Sequence, residues 1–343
     1  MTMTRIIDFR SDTVTKPDHN MLAAMMAAEV GDDVFGEDPT VNTLEAEVAT
    51  LVGTEAAMFV TSETLANQLD MHMHCRPGDW IICEKDAHIV LYESGGGAAL
   101  SGVQFDLIAW EDSFSDAAID RAFHPEEQHA ATSRLLAVEN THNRKAGSCL
   151  DVAELQRIRT KARALGLKLH CDGARLWNAA VALNKSEREL TAGFDTVSVC
   201  FSKGLGAPVG SALCGSRDLV KAARKVRKRW GGGMRQAGYL AAAALYALRN
   251  NRSRLAADHT RMAALVTGLR ELGADVNYPN PGTNMAYFKL PGWQGDDLAR
   301  ALRERNVLMF HTGRDYLRAV AHLMTTDQDI HDTLTVLAAV RRS

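Results

Sequence analysis

The feature that most constrains the fold is a rhythm. Short apolar runs end abruptly at a polar residue and a turn, and they alternate with stretches of helical periodicity. Residues 56–60, 80–83, 135–138, 167–171, 196–201 and 211–214 read as strands. Helices with recognisable ends lie between them. Asp38 and Pro39 open one whose apolar stripe is Val41, Leu44, Val48 and Leu51, with Gly53 as its stop. Asp151 and Glu154 form a capping box for another, which runs to Leu165 and ends at Gly166. Further helices are predicted over 21–28, 65–75, from Asp86 onward, through the basic run up to Trp230, and over 236–248. Such alternation predicts an open α/β sheet, mostly parallel. After Asn251 the pattern changes to a long helix (252–272) and strands at 285–290 and 317–323. The expected organisation is an N-terminal segment (1–20), a large domain (21–250) and a small α+β domain (251–343).

In an open α/β sheet, ligands sit at the carboxyl ends of the strands. Ser62-Glu63-Thr64, Glu139 to Asn143, Asp172 with Arg175, and Lys203 all stand at such ends. The run Val197-Ser198-Val199-Cys200-Phe201 terminates in Ser202-Lys203-Gly204, which places a lysine half out of water. Desolvation is expected to lower its pKa and to make the amine a nucleophile able to form an imine with an aldehyde cofactor. Asp172 lies 31 residues earlier, also after a strand. A strand-helix-strand unit takes about 30 residues, so the two should end neighbouring strands. An acid and a lysine so placed match the needs of pyridoxal phosphate (PLP): an imine partner, and a carboxylate that keeps the ring nitrogen protonated. Spacing alone fits an ion pair at the sheet edge equally well. The Ser62-Glu63-Thr64 turn suits a phosphate at a helix N-terminus, and it also suits an ordinary cap.

Other function classes fit poorly. The glycines of Gly204-Leu205-Gly206-Ala207-Pro208-Val209-Gly210 are misplaced for a dinucleotide fingerprint, and Pro208 would break the helix it requires. The net charge of −3 argues against general nucleic-acid binding, and the basic run 221–229 reads as a helix face. His72 and His74 do not have metal-ligand spacing, and no metal is expected. The six cysteines show no CxxC pairing, and Cys171 and Cys200 read as buried reduced thiols of a cytoplasmic protein. No signal peptide and no membrane span are expected.

The motifs Arg10-Ser11-Asp12-Thr13-Val14-Thr15, Gly31-Asp32-Asp33-Val34-Phe35-Gly36-Glu37-Asp38-Pro39, Glu139-Asn140-Thr141-His142-Asn143, Asp172-Gly173-Ala174-Arg175-Leu176, Ser202-Lys203-Gly204-Leu205-Gly206 and Gly231-Gly232-Gly233-Met234-Arg235-Gln236 occur in this order. Together they resemble the L-threonine aldolase family, of the low-specificity or L-allo-threonine type, which are PLP enzymes of the aspartate aminotransferase fold (fold type I). The resemblance implies reversible retro-aldol cleavage of L-threonine, L-allo-threonine or related β-hydroxy-α-amino acids to glycine and an aldehyde. It implies that Lys203 bonds the cofactor aldehyde, Asp172 faces the pyridine nitrogen and His88 stacks on the ring. Ser62, Glu63, Thr64 and Arg235 would surround the phosphate, with Arg235 crossing from a partner subunit. Ser11, Arg175 and Arg318 would take the substrate carboxylate, for which the guanidinium fork is suited. The base for the β-hydroxyl would be His88, His142 or a water. A homo-oligomer with shared active sites, a dimer at least and by expectation a tetramer, is implied as well. A β-eliminase or racemase on the same fold is the alternative, and a scaffold protein with degraded catalysis is a second.

Four positions depart from the family pattern. Glu63 stands where glycine is usual, Phe35 where tyrosine is common, Met324 follows His322-Leu323 in place of aspartate, and Trp230 is bulky beside the glycine triplet. Like charges about 4 Å apart at an effective dielectric near 20 repel by about 4 kcal/mol. The Glu63 carboxylate is therefore expected to turn from the phosphate, and Glu63→Gly to tighten cofactor binding. Phe35, Trp230 and Met324 are expected to shift preference toward larger β-hydroxy amino acids.

Overall fold

The apolar runs pair as one sheet in a computed structural model of the chain, which describes residues 5–112, 114–313 and 315–341. Its strands are β1 (Ala56–Val60), β2 (Trp80–Glu84), β3 (Gln104–Ile108), β4 (Ser133–Glu139), β5 (Lys168–Gly173), β6 (Thr196–Cys200) and β7 (Ser211–Gly215). The order is β1-β7-β6-β5-β4-β2-β3. Every neighbouring pair is parallel except those of β7, which runs antiparallel to both β1 and β6. The strands read from the sequence match to within a residue or two. β3 escaped that reading because it is an edge strand: Gln104, Phe105, Asp106 and Leu107 are all at least partly exposed, so the apolar run is missing.

The helices obey their caps. α1 spans His19–Met26, α2 Pro39–Val52 and α3 Glu63–His74. Asp38 caps α2 at Val41 and also accepts from the N–H groups of Gly31 and Gly238. A Cβ at Gly238 would stand 2.4 Å from the Asp38 carboxylate, so this close approach requires glycine. The Asp151–Glu154 capping box is present, and α2 ends at Gly53 with φ of 80°. Registers Glu139↔Asp172 and Asp172↔Ser198 align the carboxyl ends of β4, β5 and β6. Polar residues that close apolar runs thereby face one crevice.

A second apolar core lies beyond residue 255. A four-stranded antiparallel sheet, ordered Phe310–His311, Leu317–Val320, Met285–Lys289 and Asp275–Asn277, packs with helices Leu255–Glu271, Gly295–Arg303 and Asp327–Arg341. The chain start belongs here. Ile7–Asp8 pairs in parallel with Val307–Leu308, and Ile7 and Phe9 are buried in this core. Local sequence could not reveal that pairing, because the partner lies about 300 residues away. Among the described residues no helix is long and apolar enough to cross a membrane.

Asp12 ties the chain start to the large sheet. Its carboxylate is fully buried and takes both Nε (2.8 Å) and Nη2 (2.7 Å) of Arg175. Burial opposes its charge, but Arg175 outweighs burial and holds the carboxyl well below the usual range. Asp12→Ala leaves Arg175 buried without a counter-ion and is expected to cost about 3–5 kcal/mol. Urea unfolding measures this, and a loss below about 1 kcal/mol would contradict it. Because the folded pKa is depressed, the pair's contribution is complete above the ordinary carboxylate value, near pH 4, and declines as the pH falls below it.

Candidate active site

The deepest part of the crevice is a buried polar chain built on Asn67, one turn into α3. Its Nδ2 donates to Asp172 Oδ2 and to Glu93 Oε1, each at 2.8 Å. Its Oδ1 receives His170 Nε2 at 3.1 Å and the Ser198 hydroxyl at 3.0 Å. His170 Nδ1 meets Asp70 Oδ1 at 3.2 Å. Both ring nitrogens face groups able to accept, which favours the charged form of His170. Burial opposes that charge and Asp70 outweighs it, which raises the pKa. Asp172 Oδ1 accepts from Ala174 N at 3.0 Å, so both its oxygens are held and aimed.

His88 sits over this chain. Its backbone N–H donates to Glu139 Oε2 at 2.8 Å, and its Nδ1 meets Glu93 Oε1 at 2.9 Å. The second Glu93 oxygen accepts from Gln68 at 2.7 Å. Burial disfavours charge on His88, but the Glu93 bond and the carboxylates of Asp172 and Glu139 prevail, and the pKa stands above the ordinary value. Donor atoms of His88, Glu93 and Asp172 all lie within 4.8 Å of one another. This acidic pocket suits a protonated heterocycle. Tyr92 stands beside the His88 ring, with centroids 5.5 Å apart.

Lys203 follows β6, next to β5, as the spacing from Asp172 implies. Among the described residues nothing hydrogen-bonds its Nζ, and its backbone oxygen accepts from Thr15. The expected lowering of its pKa is not found. Burial disfavours the charge, but Cys200, Glu63 and Asp172 favour it, partly offset by Arg175, and the net shift is upward. The surroundings therefore favour the ammonium form in the free chain.

The Ser62-Glu63-Thr64 turn opens α3. Ser62 caps it through Leu65 N–H, while the N–H groups of Glu63 and Thr64 meet no acceptor among the described residues. Those free donors at the positive end of a helix fit a phosphate. The Glu63 side chain is buried and folds inward.

On the other rim, Arg175 is engaged with Asp12 through Nε and Nη2, leaving Nη1. Arg318 donates Nη1 to Asn143 Oδ1 (2.9 Å) and Nη2 to the Arg10 carbonyl (2.8 Å). Its Nε is buried without an acceptor, which fits an incoming carboxylate. Ser11 caps the short turn Asp12–Val14 beside this pair. His142 is buried to 1% exposure, with Nε2 on Glu84 Oε2 at 2.9 Å and Nδ1 orphaned. Burial opposes its charge, and Glu139 and Glu84 raise its pKa above the ordinary value.

Some expected residues are not drawn in. Arg235 is exposed and pairs with Asp32 at 2.9 Å, not with the 62–64 turn. Phe35 is 73% exposed, and Met324 is exposed too. Trp230 packs edge-on against His72 on the outer side of α3, so within this chain it does not line the crevice. Asn67, Glu93 and His170 were missed, and Glu139 was placed at its strand end without a role. Glu139 closes the apolar run Leu135-Leu136-Ala137-Val138 just as Asp172 closes Leu169-His170-Cys171, a signal open to the same logic. Asn67 and Gln68 are polar residues on the buried face of α3.

An unengaged amine, a fixed carboxylate, two free helix N–H groups and an orphaned guanidinium Nε fit PLP carrying an amino acid.

The family model described as beta-eliminating lyase matches residues 8–290. The low-specificity L-threonine aldolase of Escherichia coli O157:H7 is 44% identical over 323 residues, covering 93% of this chain and 94% of its own. The Leishmania major threonine aldolase superimposes with a TM-score of 0.84 at 21% identity, covering 98% and 99% of the two chains. A serine palmitoyltransferase variant from S. paucimobilis with a bound PLP–myriocin aldimine gives 0.77 at 18% identity, covering 98% and 87%. At such identities these two likenesses are of fold, the PLP fold type I anticipated from the sequence.

Proposed function

The chain belongs to the beta-eliminating lyase family, among the low-specificity L-threonine aldolases, and on that premise we propose how its residues divide the work. It is a lyase that cleaves threonine to glycine and an aldehyde. The observation that carries the residue assignment is the juxtaposition of Asp172 and Lys203 at the ends of β5 and β6. PLP, when bound, supplies an electron sink for the pair of electrons left on Cα as the Cα–Cβ bond breaks.

Lys203 would hold the cofactor's aldehyde end through its Nζ, and Asp172, steadied by Asn67, would hold a proton at the ring nitrogen. The substrate carboxylate takes Arg318 Nε and Arg175 Nη1, with Ser11 beside them, which fixes the amino acid's orientation. The β-hydroxyl proton passes to His88 or His142, directly or through one water. Both histidines are tied to glutamates that raise their pKa. The base form therefore predominates only above the ordinary imidazole value, about 6.5. The kcat profile should rise on the alkaline side of that value, and the rising limb should vanish in only one of His88→Gln and His142→Gln. A limb unchanged in both variants would assign the proton to water.

Glycine release is the test of the reading. Threonine and allo-threonine should each yield glycine and acetaldehyde, with PLP added, and without pyruvate or ammonia. Release of ammonia and a keto acid would favour the β-eliminase alternative. Phenylserine is expected to turn over comparably, and a profile dominated by threonine would overturn the preference for larger substrates.

A second copy of the chain completes the site in this proposal. Met26 (85% exposed) and Phe35 (73%) are apolar and open, as are Leu22, Val34 and Tyr239. Arg235 is exposed and able to serve a neighbour's phosphate turn. The proposed setting is the cytoplasm, which agrees with six unpaired cysteines.

A further inference from the structure

Glu63 is the residue that the reading above leaves without a task. It is the first residue of α3, directly at the proposed phosphate turn. Its side chain nonetheless turns inward and is 7% exposed. Both carboxyl oxygens are buried without a hydrogen-bond partner. The hydroxyls of Ser198 on β6 and Ser211 on β7 lie alongside and favour the carboxylate weakly, without closing a normal hydrogen bond among the described residues. Ser198 already spends its proton on Asn67, and Ser211 Oγ is itself an orphan. A carboxylate in this place is therefore poorly solvated, whereas a protonated carboxyl could donate to either hydroxyl oxygen.

The charges around it come from several elements. Asp172 on β5 repels a negative Glu63, and Lys203 after β6 attracts it. His170 and Cys171 on β5 and Cys214 on β7 also feel its charge. Burial is the larger influence and Asp172 adds to it, so the Glu63 carboxyl is pushed up to about 7, with Lys203 and the Ser198 and Ser211 hydroxyls acting against the shift. A doubly charged phosphate on the N–H groups of Glu63 and Thr64 would add a further negative charge within the same turn. Cofactor tethering would at the same time remove the ammonium of Lys203, a cation that favours the carboxylate alongside His170.

We propose that Glu63 is a proton site coupled to cofactor loading: the phosphate seats on the 62–64 turn only with the Glu63 carboxyl neutral, so that binding takes up a proton. The proposal rests on the PLP reading and deepens it. It replaces the simple expectation that the side chain merely points away. The carboxyl stays close, and its protonation state decides whether the anion is tolerated. The chain then holds its cofactor more tightly below neutral pH and releases it more readily above.

The test uses the full chain stripped of cofactor and the probe 4-deoxypyridoxine 5′-phosphate, which has no aldehyde to react with Lys203. Its dissociation constant is measured from pH 6 to 9 for the wild type and Glu63→Gln, with calorimetry in buffers of different ionisation enthalpy. Relative to Glu63→Gln, wild-type affinity should fall by about tenfold per pH unit above pH 7, the slope of one coupled proton. At pH 8 the wild type should take up close to one proton more than the variant. Equal pH slopes and equal proton uptake would overturn the proposal. Should Glu63→Gln not fold, the comparison is made within the wild type, against 4-deoxypyridoxine without the phosphate. At pH 8 a phosphate is already fully ionised, since its second pKa is about 6, so extra uptake with the phosphorylated probe belongs to the protein. No extra uptake overturns the proposal. Failure of PLP itself to bind at any pH would overturn the cofactor reading, a result distinct from pH-independent binding.

Discussion

Lys203→Ala should abolish turnover, by at least about 10³-fold, equivalent to about 4 kcal/mol of barrier. The near-visible absorbance that develops on adding PLP to the wild type should be absent. The reason is positional. Lys203 follows β6 beside Asp172, and no hydrogen bond among the described residues occupies its Nζ. Its other role, as counter-charge to Glu63 and Asp172, does not demand that particular side chain. Lys203→Arg separates the two. It keeps a cation and cannot form the bond to the aldehyde, so it should be as inactive as the alanine variant while retaining wild-type thermal stability. Activity within tenfold of wild type in either variant would remove Lys203 from the centre of the mechanism.

Asp172→Asn should lower kcat by about 10²–10³-fold, the scale seen when one preorganised electrostatic contact to the reacting system is removed. The substitution keeps shape and removes charge. It also disturbs the bonding, because both carboxylate oxygens now accept, one from Ala174 N and one from Asn67 Nδ2. An asparagine has one acceptor oxygen, so one of those donors loses its partner, at about 1–3 kcal/mol of stability. The joint signature is a large fall in kcat with a small fall in unfolding free energy. Asp172→Glu retains the charge on a longer arm and should recover part of the cofactor spectrum and less of the rate. An Asp172→Asn variant with turnover within threefold of wild type would show that the carboxylate serves the sheet edge alone.

Lys203 and Asp172 were legible because each marks a local break in pattern. A polar group that closes a five-residue apolar run is visible in a short window, and the 31-residue spacing converts the two breaks into neighbouring strands. Asp38, Asp151 and Gly53 were legible for the same reason, since capping is a matter between residues a turn apart. β3 was not, because an edge strand needs no continuous apolar run. The direction of the Lys203 shift was misjudged. Burial was inferable from sequence, but the groups that oppose it come from β6 itself (Cys200), α3 (Glu63) and β5 (Asp172).

The sequence by itself determined the sheet, the placing of a lysine and an acid after neighbouring strands, and the family. Tertiary structure alone decided which buried polar groups hold one another: Asn67 between Asp172, Glu93 and His170, Arg175 on Asp12, and Glu63 turned inward with no partner. It also joined Ile7–Asp8 to Val307–Leu308. The physical reason is range. Periodicity and caps are set by residues within a few positions, and their free energies exist before the chain closes. The energy of a buried charge or amide depends on distance and on excluded water, and neither is defined until remote segments meet. Glu63 stands at that divide: its place at the turn that opens α3 follows from three consecutive letters, and its burial without a partner follows only from the packing of α3 on β6 and β7.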